Sequence, residues 1–151
     1  MPKVVLPAVI ESCAPAMDFL REHTAQDHRD MLGLMELAVE ELLVNVARHA
    51  YADTHGAVPD RAEEWGRVEL GMRQTRLDNE PFLCVWTRDW GVSFDPFREA
   101  PVPDTTLDAE ERPIGGLGVH LVKNVAVHYS YSRTDGENLI ELYFRLPSDD
   151  M

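Results

Sequence analysis

Cysteine is scarce in this sequence, with only Cys13 and Cys84 among 151 residues. The two form no Cys-x-x-Cys pair, and the six histidines form no His-Glu-x-x-His pattern. A zinc site and a disulfide framework are therefore not expected. Both cysteines are interpreted as reduced and structural, which favours an intracellular protein.

Long apolar runs and basic runs are missing as well. No apolar stretch approaches the roughly 18 residues that a membrane-spanning helix needs. The apolar run at the N-terminus is short and is broken by Pro7 and Glu11, unlike a signal peptide. The formal net charge is −13, and such a surface repels nucleic acid. We therefore expect a cytoplasmic protein that binds neither membranes nor nucleic acid.

What is present fits one globular domain. The chain is 44% hydrophobic and 27% charged, as in ordinary soluble domains. Apolar periodicity predicts helices at 14–24 and 27–51, the second with Asp27 as its N-cap, and a further helix opening at the glycines near 115–118. Strands are predicted at 3–11, 67–75, 82–89, 127–134 and 139–146, with Pro7 favouring an edge position for the first. Turns are predicted at 77–80 and 135–136, and a loop at 52–65.

A long amphipathic helix carries the first candidate site. Glu41, Asn45 and His49 are spaced four residues apart, which predicts that they line one edge of its apolar face. The amide oxygen of Asn45 is a ligand type that Mg²⁺ accepts. The carboxylate of Glu41 can take a proton from a hydroxyl group or a water molecule. The alternative for such a trio is a solvated polar edge.

The second candidate site lies where a buried strand ends. In Asp89-x-Gly91, an ionised carboxylate could accept a hydrogen bond from an exocyclic amine such as the N6 group of adenine. Gly91 would let a flat base approach the backbone. The alternative is an ordinary turn, because Asp-x-Gly is common in turns.

The third candidate combines an irregular segment with a cluster of glycines. Residues 93–113 contain four prolines and no helical or strand period, which is typical of a lid or a binding loop. The alternative is a disordered insertion. The sequence Gly115-Gly116-Leu117-Gly118 before a helix resembles a phosphate cradle, but it is neither a Rossmann nor a P-loop motif. It could instead be a flexible hinge.

Taken in order, these motifs resemble one ATP-binding family. Glu41-x-x-x-Asn45, Asp89-x-Gly91-x-x-Phe94-Asp95-Pro96 and the glycine cluster resemble the GHKL family, which includes gyrase B, Hsp90, histidine kinases and MutL. Within it, the length, the His49-Ala50-Tyr51 run, Gly116-Leu117-Gly118-Val119-x-Leu121-Val122 and Tyr131-x-Arg133 are similar to the anti-sigma-factor serine/threonine kinases of bacterial partner switching. The chain departs from that subfamily at Ala126-Val127 and in the length of 52–65.

The resemblance implies a fold and a set of site residues. The fold would be an α/β (α+β) two-layer sandwich, with a mixed, mostly antiparallel sheet and helices on one face. Glu41 would be the general base, Asn45 would ligate Mg²⁺, and Asp89 would hold the adenine amine. Segment 92–114 would be the lid of a single domain that covers residues 1–151. The nucleotide-binding residues would be Asn45, His49, Asp89, Gly91, Phe94, Gly115, Gly116, Leu117, Gly118 and Val119.

The resemblance also implies partners and leaves alternatives. The expected protein is an ATP- and Mg²⁺-dependent serine/threonine kinase. It would phosphorylate a small anti-anti-sigma antagonist and bind a sigma factor, and it could form a homodimer. The first alternative is a non-catalytic module that captures a partner when ATP orders its lid. The second is a detached catalytic domain for histidine phosphotransfer, which would need a partner with a phosphoacceptor histidine.

Overall fold

The computed structural model describes residues 1–51, 66–99 and 126–147, apart from the side chain of Glu99. The predicted loop at 52–65, the glycine cluster and the helix after it lie outside these ranges. The helices are α1 (Cys13–His23), α2 (Leu32–Asn45) and the short α3 (Pro96–Glu99). The strands are β1 (Lys3–Pro7), β2 (Arg67–Leu77), β3 (Glu80–Asp89), β4 (His128–Thr134) and β5 (Glu137–Arg145).

The five strands form one sheet in the order β1-β2-β3-β5-β4. All of the described pairings are antiparallel, so this part of the sheet is not mixed. The α+β class with an antiparallel sheet is otherwise confirmed. β1 is an edge strand, as Pro7 predicted, because a residue without an N–H group is best tolerated there.

Two tight turns set the register of the sheet. Asp78 and Asn79 have φ values of 50° and 65°, and Asp135 and Gly136 have 52° and 81°. Two central residues with positive φ match the right-handed twist of antiparallel strands, and Asp, Asn and Gly tolerate that conformation. Both predicted turns are confirmed. The second turn pairs Arg133 of β4 with Asn138 of β5, and the separate register between β3 and β5 places Asn138 opposite Asp89.

The helices pack against one face of the sheet and form the core with it. Alternate residues of β5 are buried, and Ile140, Leu142 and Phe144 belong to the same apolar cluster as Leu42 of α2 and Leu20 of α1. The hairpins and the helix layer therefore bring the C-terminal end of α2 towards the end of β3. No helix in the described ranges is long and apolar enough to cross a membrane.

Three details of the predicted elements were wrong. β1 ends at Pro7 rather than at residue 11, and the Ser12 hydroxyl donates to the Pro7 carbonyl at 2.7 Å as the chain turns. Asp27 does not cap α2, because it lies in a 3₁₀ segment (Gln26–Met31) and α2 begins at Leu32 without a side-chain cap. The predicted irregular segment contains the short helix α3.

Candidate functional site

The end of α2 departs from α-helical geometry where the first candidate site begins. A π-helical turn (Val46–Ala50) follows Asn45 directly. Such turns are rare and occur often at functional sites. Asn45 ends the regular α-helix and His49 lies within the π-turn, and the two residues differ in exposure. Asn45 is buried, whereas His49 is exposed and lines a separate groove of about 600 Å³ with residues 8–11.

Glu41 and Asn45 present polar atoms without hydrogen-bond partners. Within the described residues, the buried Oε1 of Glu41 and the buried Nδ2 of Asn45 have no partner. Burying such atoms without a partner costs free energy, which a hydrogen-bonding ligand or water at this position would offset. The pKa of Glu41 is raised, mainly by burial; Arg48 opposes the shift and Glu40 adds to it. A carboxylate with a raised pKa is a better proton acceptor than an exposed one.

Asp89 ends β3 and is only 4% exposed. Its Oδ1 accepts hydrogen bonds from the Gly91 amide at 3.0 Å and from Nδ2 of Asn138 at 2.9 Å. Burial raises the pKa of Asp89, while these two hydrogen bonds and the charge of Arg133 lower it. A carboxylate has acceptor capacity on both oxygens. Asp89 therefore has a second oxygen with which to bind a donor in the cleft.

Gly91 has a structural reason for lacking a side chain. A Cβ atom at this position would lie 2.0 Å from the carbonyl oxygen of Ala50. Next to it, the Val92 amide donates to the same carbonyl at 2.6 Å. The loop after β3 is thus packed directly on the π-turn that ends α2. The close approach observed here is to protein backbone, and the predicted contact of Gly91 with a base stays a prediction.

We expect Gly91→Ala to lower the free energy of unfolding by about 1–3 kcal/mol, the usual cost of overpacking a tight contact. Urea unfolding would measure the change. Gly33→Ala is the matched control, because no atom lies within 4 Å of a Cβ at Gly33 near the start of α2. That control should gain about 0.5–1 kcal/mol from helix propensity. Equal stabilities for Gly91→Ala and the parent would show that the loop relaxes without cost.

A narrow cleft joins the two described parts of the candidate site. Asn45 and Asp89 line it together with Phe94 and Asn138; the remaining lining residues are Leu42, Val46, Ala50, Pro96 and Ile140. Its enclosed volume is about 10 Å³, room for about one water molecule. The ring of Phe94 stacks on His49 with centroids 4.8 Å apart. A nucleotide base would therefore need the segment around Phe94 and Pro96 to move outward.

Three residues that organise this site, Asn138, Tyr131 and Arg133, are absent from the set of predicted site residues. Asn138 hydrogen bonds to Asp89, and its own side chain is held by Tyr131 and Arg133. A signal for Asn138 existed, since it is a polar residue at a position where alternation along the last strand predicts burial. Its partner could not be known without the register between β3 and β5.

The remaining predicted residues lie outside the described ranges. These are Gly115, Gly116, Leu117, Gly118 and Val119, so their predicted contacts with phosphates stay predictions. In the ranges that the structure does describe, no cluster of three or more His, Cys, Asp or Glu side chains could hold a metal ion. A magnesium site built on Asn45 would not need such a cluster, because Mg²⁺ often keeps several waters and uses substrate phosphates as ligands.

A comparison with known families finds one that the chain matches. The chain matches the family described as "Histidine kinase-like ATPase domain" over residues 6–144. It therefore belongs to that family, and the GHKL-type resemblance is confirmed. Membership in an ATPase domain family implies ATP binding.

Two individual proteins are similar to the chain. The chain is 28% identical over 108 residues to the serine/threonine-protein kinase BtrW of Bordetella bronchiseptica, covering 72% of this chain and 66% of the relative. Its fold is similar to the structure of the RsbU and RsbW domains of Rv1364c from Mycobacterium tuberculosis, with a TM-score of 0.54 and 14% identity. That match covers 97% of this chain and 33% of the other. The chain thus spans only part of both proteins.

Proposed function

We propose that this chain is an ATP-dependent serine/threonine kinase and anti-sigma factor of a bacterial partner-switching system. It would phosphorylate a small anti-anti-sigma antagonist and bind a sigma factor. The observation that carries the proposal is the pair of unpartnered polar atoms on Glu41 and Asn45, one turn apart on the helix that leads to the Asp89 cleft. The similarity to a named serine/threonine-protein kinase supports the choice of substrate class.

ATP binding would use both ends of the cleft. The second oxygen of Asp89 would accept a hydrogen bond from the exocyclic amine of adenine. The amide oxygen of Asn45 would ligate Mg²⁺, and its unpartnered Nδ2 would donate to a phosphate oxygen. The backbone at Gly115, Gly116 and Gly118 would hold the phosphates, with Leu117 and Val119 beside them. Bound Mg²⁺ supplies positive charge that offsets the charge of the phosphates. These residues fit Mg-ATP chemically, since an amide oxygen can bind Mg²⁺ and a carboxylate oxygen can accept a hydrogen bond from adenine.

Glu41 would act as the general base for transfer. The hydroxyl oxygen of a serine or threonine attacks the γ-phosphorus as its proton passes to the Glu41 carboxylate. The bond between the γ-phosphorus and the bridging oxygen breaks, and ADP leaves. The burial that raises the pKa of Glu41 suits this role.

The chain would act as a single domain in the cytoplasm, with segment 92–114 as its lid and with homodimerisation as an additional property. Opening at Phe94 and Pro96 would admit the base into a cleft that is otherwise narrow. Nucleotide binding and lid position would therefore depend on each other.

Calorimetric titration with Mg-ATP tests the proposal. We expect the parent protein to bind, and Asn45→Ala to lose about tenfold in affinity, the scale of one hydrogen bond or ligand contact to a charged group. Asn45→Asp keeps an oxygen ligand and should keep Mg²⁺-dependent binding. Parallel titrations with EDTA should weaken binding in the parent more than in Asn45→Ala. A parent that binds no ATP would overturn the proposal.

A further inference from the structure

The side chain of Asn138 makes four hydrogen bonds, two as a donor and two as an acceptor. It is 2% exposed. Its Nδ2 donates to Oδ1 of Asp89 at 2.9 Å and to the carbonyl oxygen of Val92 at 2.8 Å. Its Oδ1 accepts from the Tyr131 hydroxyl at 2.5 Å and from the Arg133 guanidinium at 2.9 Å. Such a saturated amide is held in one orientation.

Arg133 and the carbonyl oxygen of Val92 together decide which orientation that is. An amide can rotate by half a turn and exchange its oxygen and nitrogen at little cost when its partners can both donate and accept. The Tyr131 hydroxyl is such a partner, but a guanidinium only donates and a backbone carbonyl only accepts. The amide oxygen must therefore face Arg133, and the amide nitrogen must face Asp89. The same guanidinium donates to the Gly91 carbonyl at 3.0 Å, which fixes its own position.

The orientation of Asn138 in turn fixes the hydrogen-bonding character of Asp89. Facing an N–H donor, Asp89 is held as an acceptor, and this hydrogen bond stabilises its ionised form against the effect of burial. With the amide reversed, two acceptor oxygens would meet unless Asp89 took up a proton. An ionised Asp89 accepts from an exocyclic amine, as in adenine. A protonated Asp89 could donate to the carbonyl oxygen of a 6-oxo purine such as guanine.

We propose that Tyr131 and Arg133 are positioning residues that contribute to purine specificity: with the Val92 carbonyl they hold the Asn138 amide in the orientation that keeps Asp89 an acceptor for a 6-amino purine and rejects a 6-oxo purine. This inference rests on the proposed function, in which Asp89 binds the base. Both residues act through Asn138. Tyr131 also lies 3.3 Å from the Ser93 hydroxyl, so the same residues hold the loop that follows the Asp89 site.

The test is the ratio of affinities for Mg-ATP and Mg-GTP, measured by calorimetry. We expect the ATP preference to fall about fivefold in Tyr131→Phe, from the loss of one neutral hydrogen bond. In Arg133→Met, where the charged donor is lost, it should fall about tenfold or more. Arg133→Lys retains a charged donor and should recover part of the preference. Urea unfolding of each variant identifies any that fails to fold.

Two controls come from the same strand. Tyr129→Phe removes a hydroxyl outside the Asn138 network while keeping the ring that packs on Phe97. Ser132→Ala alters an exposed neighbour of both residues. Both should keep the parent ratio. If Tyr131→Phe and Arg133→Met weaken ATP and GTP equally, the network is merely structural and this inference is wrong, although the proposed function stands. If the parent binds neither nucleotide, the proposed function fails and this inference fails with it.

Discussion

Replacing Glu41 by Gln is expected to slow phosphoryl transfer to a protein hydroxyl by about 10²–10⁴-fold, the usual contribution of a general base. The variant keeps the shape of the side chain and removes its ability to accept a proton. Affinity for Mg-ATP should stay close to that of the parent, because Glu41 is assigned no contact with the base. Transfer of labelled γ-phosphate to recombinant anti-anti-sigma proteins from the same organism would measure the rate.

Glu40→Gln is the matched control, since it makes the same chemical change one residue away on an exposed part of α2. It should leave the rate near that of the parent. The pH profile adds a second readout. Transfer requires ionised Glu41, so the rate should fall as pH decreases through its pKa. Because burial raises that pKa, the fall should begin at a higher pH than for an ordinary Glu.

Two other outcomes would change the role assigned to Glu41 or to the whole protein. Full transfer by Glu41→Gln would mean that another group takes the proton. A parent that binds ATP and captures a partner but transfers no phosphate would favour the non-catalytic regulatory module. In that case, equal capture with and without ATP would remove the nucleotide-dependent switch as well.

Local chemistry explains which parts of the fold could be predicted from sequence. The turns at Asp78-Asn79 and Asp135-Gly136 depend on residues that tolerate positive φ, and the edge position of β1 follows from Pro7. These features involve a few adjacent residues. The ATP-binding family was likewise indicated by short motifs in a fixed order, and the family match confirmed it.

The features that could not be predicted depend on contacts between distant residues. The π-turn after Asn45 is accompanied by a hydrogen bond between Val92 and Ala50, residues far apart in sequence. A regular 3.6-residue period along α2 predicts neither that turn nor that contact. Asn138 reaches Asp89 only because the β3–β5 register brings them together. Periodicity along one element carries no information about such pairs.

Asp89→Asn is expected to weaken Mg-ATP binding by about 100-fold, or about 3 kcal/mol at 1.4 kcal/mol per tenfold. Oδ1 of the new amide can still accept from Gly91 and Asn138, which leaves its NH₂ group facing the cleft. A donor would then meet the adenine amine, another donor, and the adenine hydrogen bond would be lost. The same NH₂ group suits the carbonyl oxygen of guanine. Calorimetry with both nucleotides should therefore show the preference moving from ATP towards GTP.

Stability measurements separate this effect from unfolding. The pKa of Asp89 is raised by burial, so its ionised form is less favourable in the folded protein than in the unfolded chain. Such a group contributes stability at low pH that is lost as pH rises through its folded-state pKa. A neutral Asn avoids that loss, so Asp89→Asn should be at least as stable as the parent near pH 7. Urea unfolding would check this.

Asp18→Asn, an exposed change on α1, is the control for the loss of one negative charge and should bind ATP like the parent. If Asp89→Asn loses both nucleotides while folding normally, the carboxylate matters through its charge rather than through recognition of the amine. If it binds ATP as tightly as the parent, Asp89 does not contact the base. In that case the cleft between α2 and β3 would have to hold the nucleotide in another orientation.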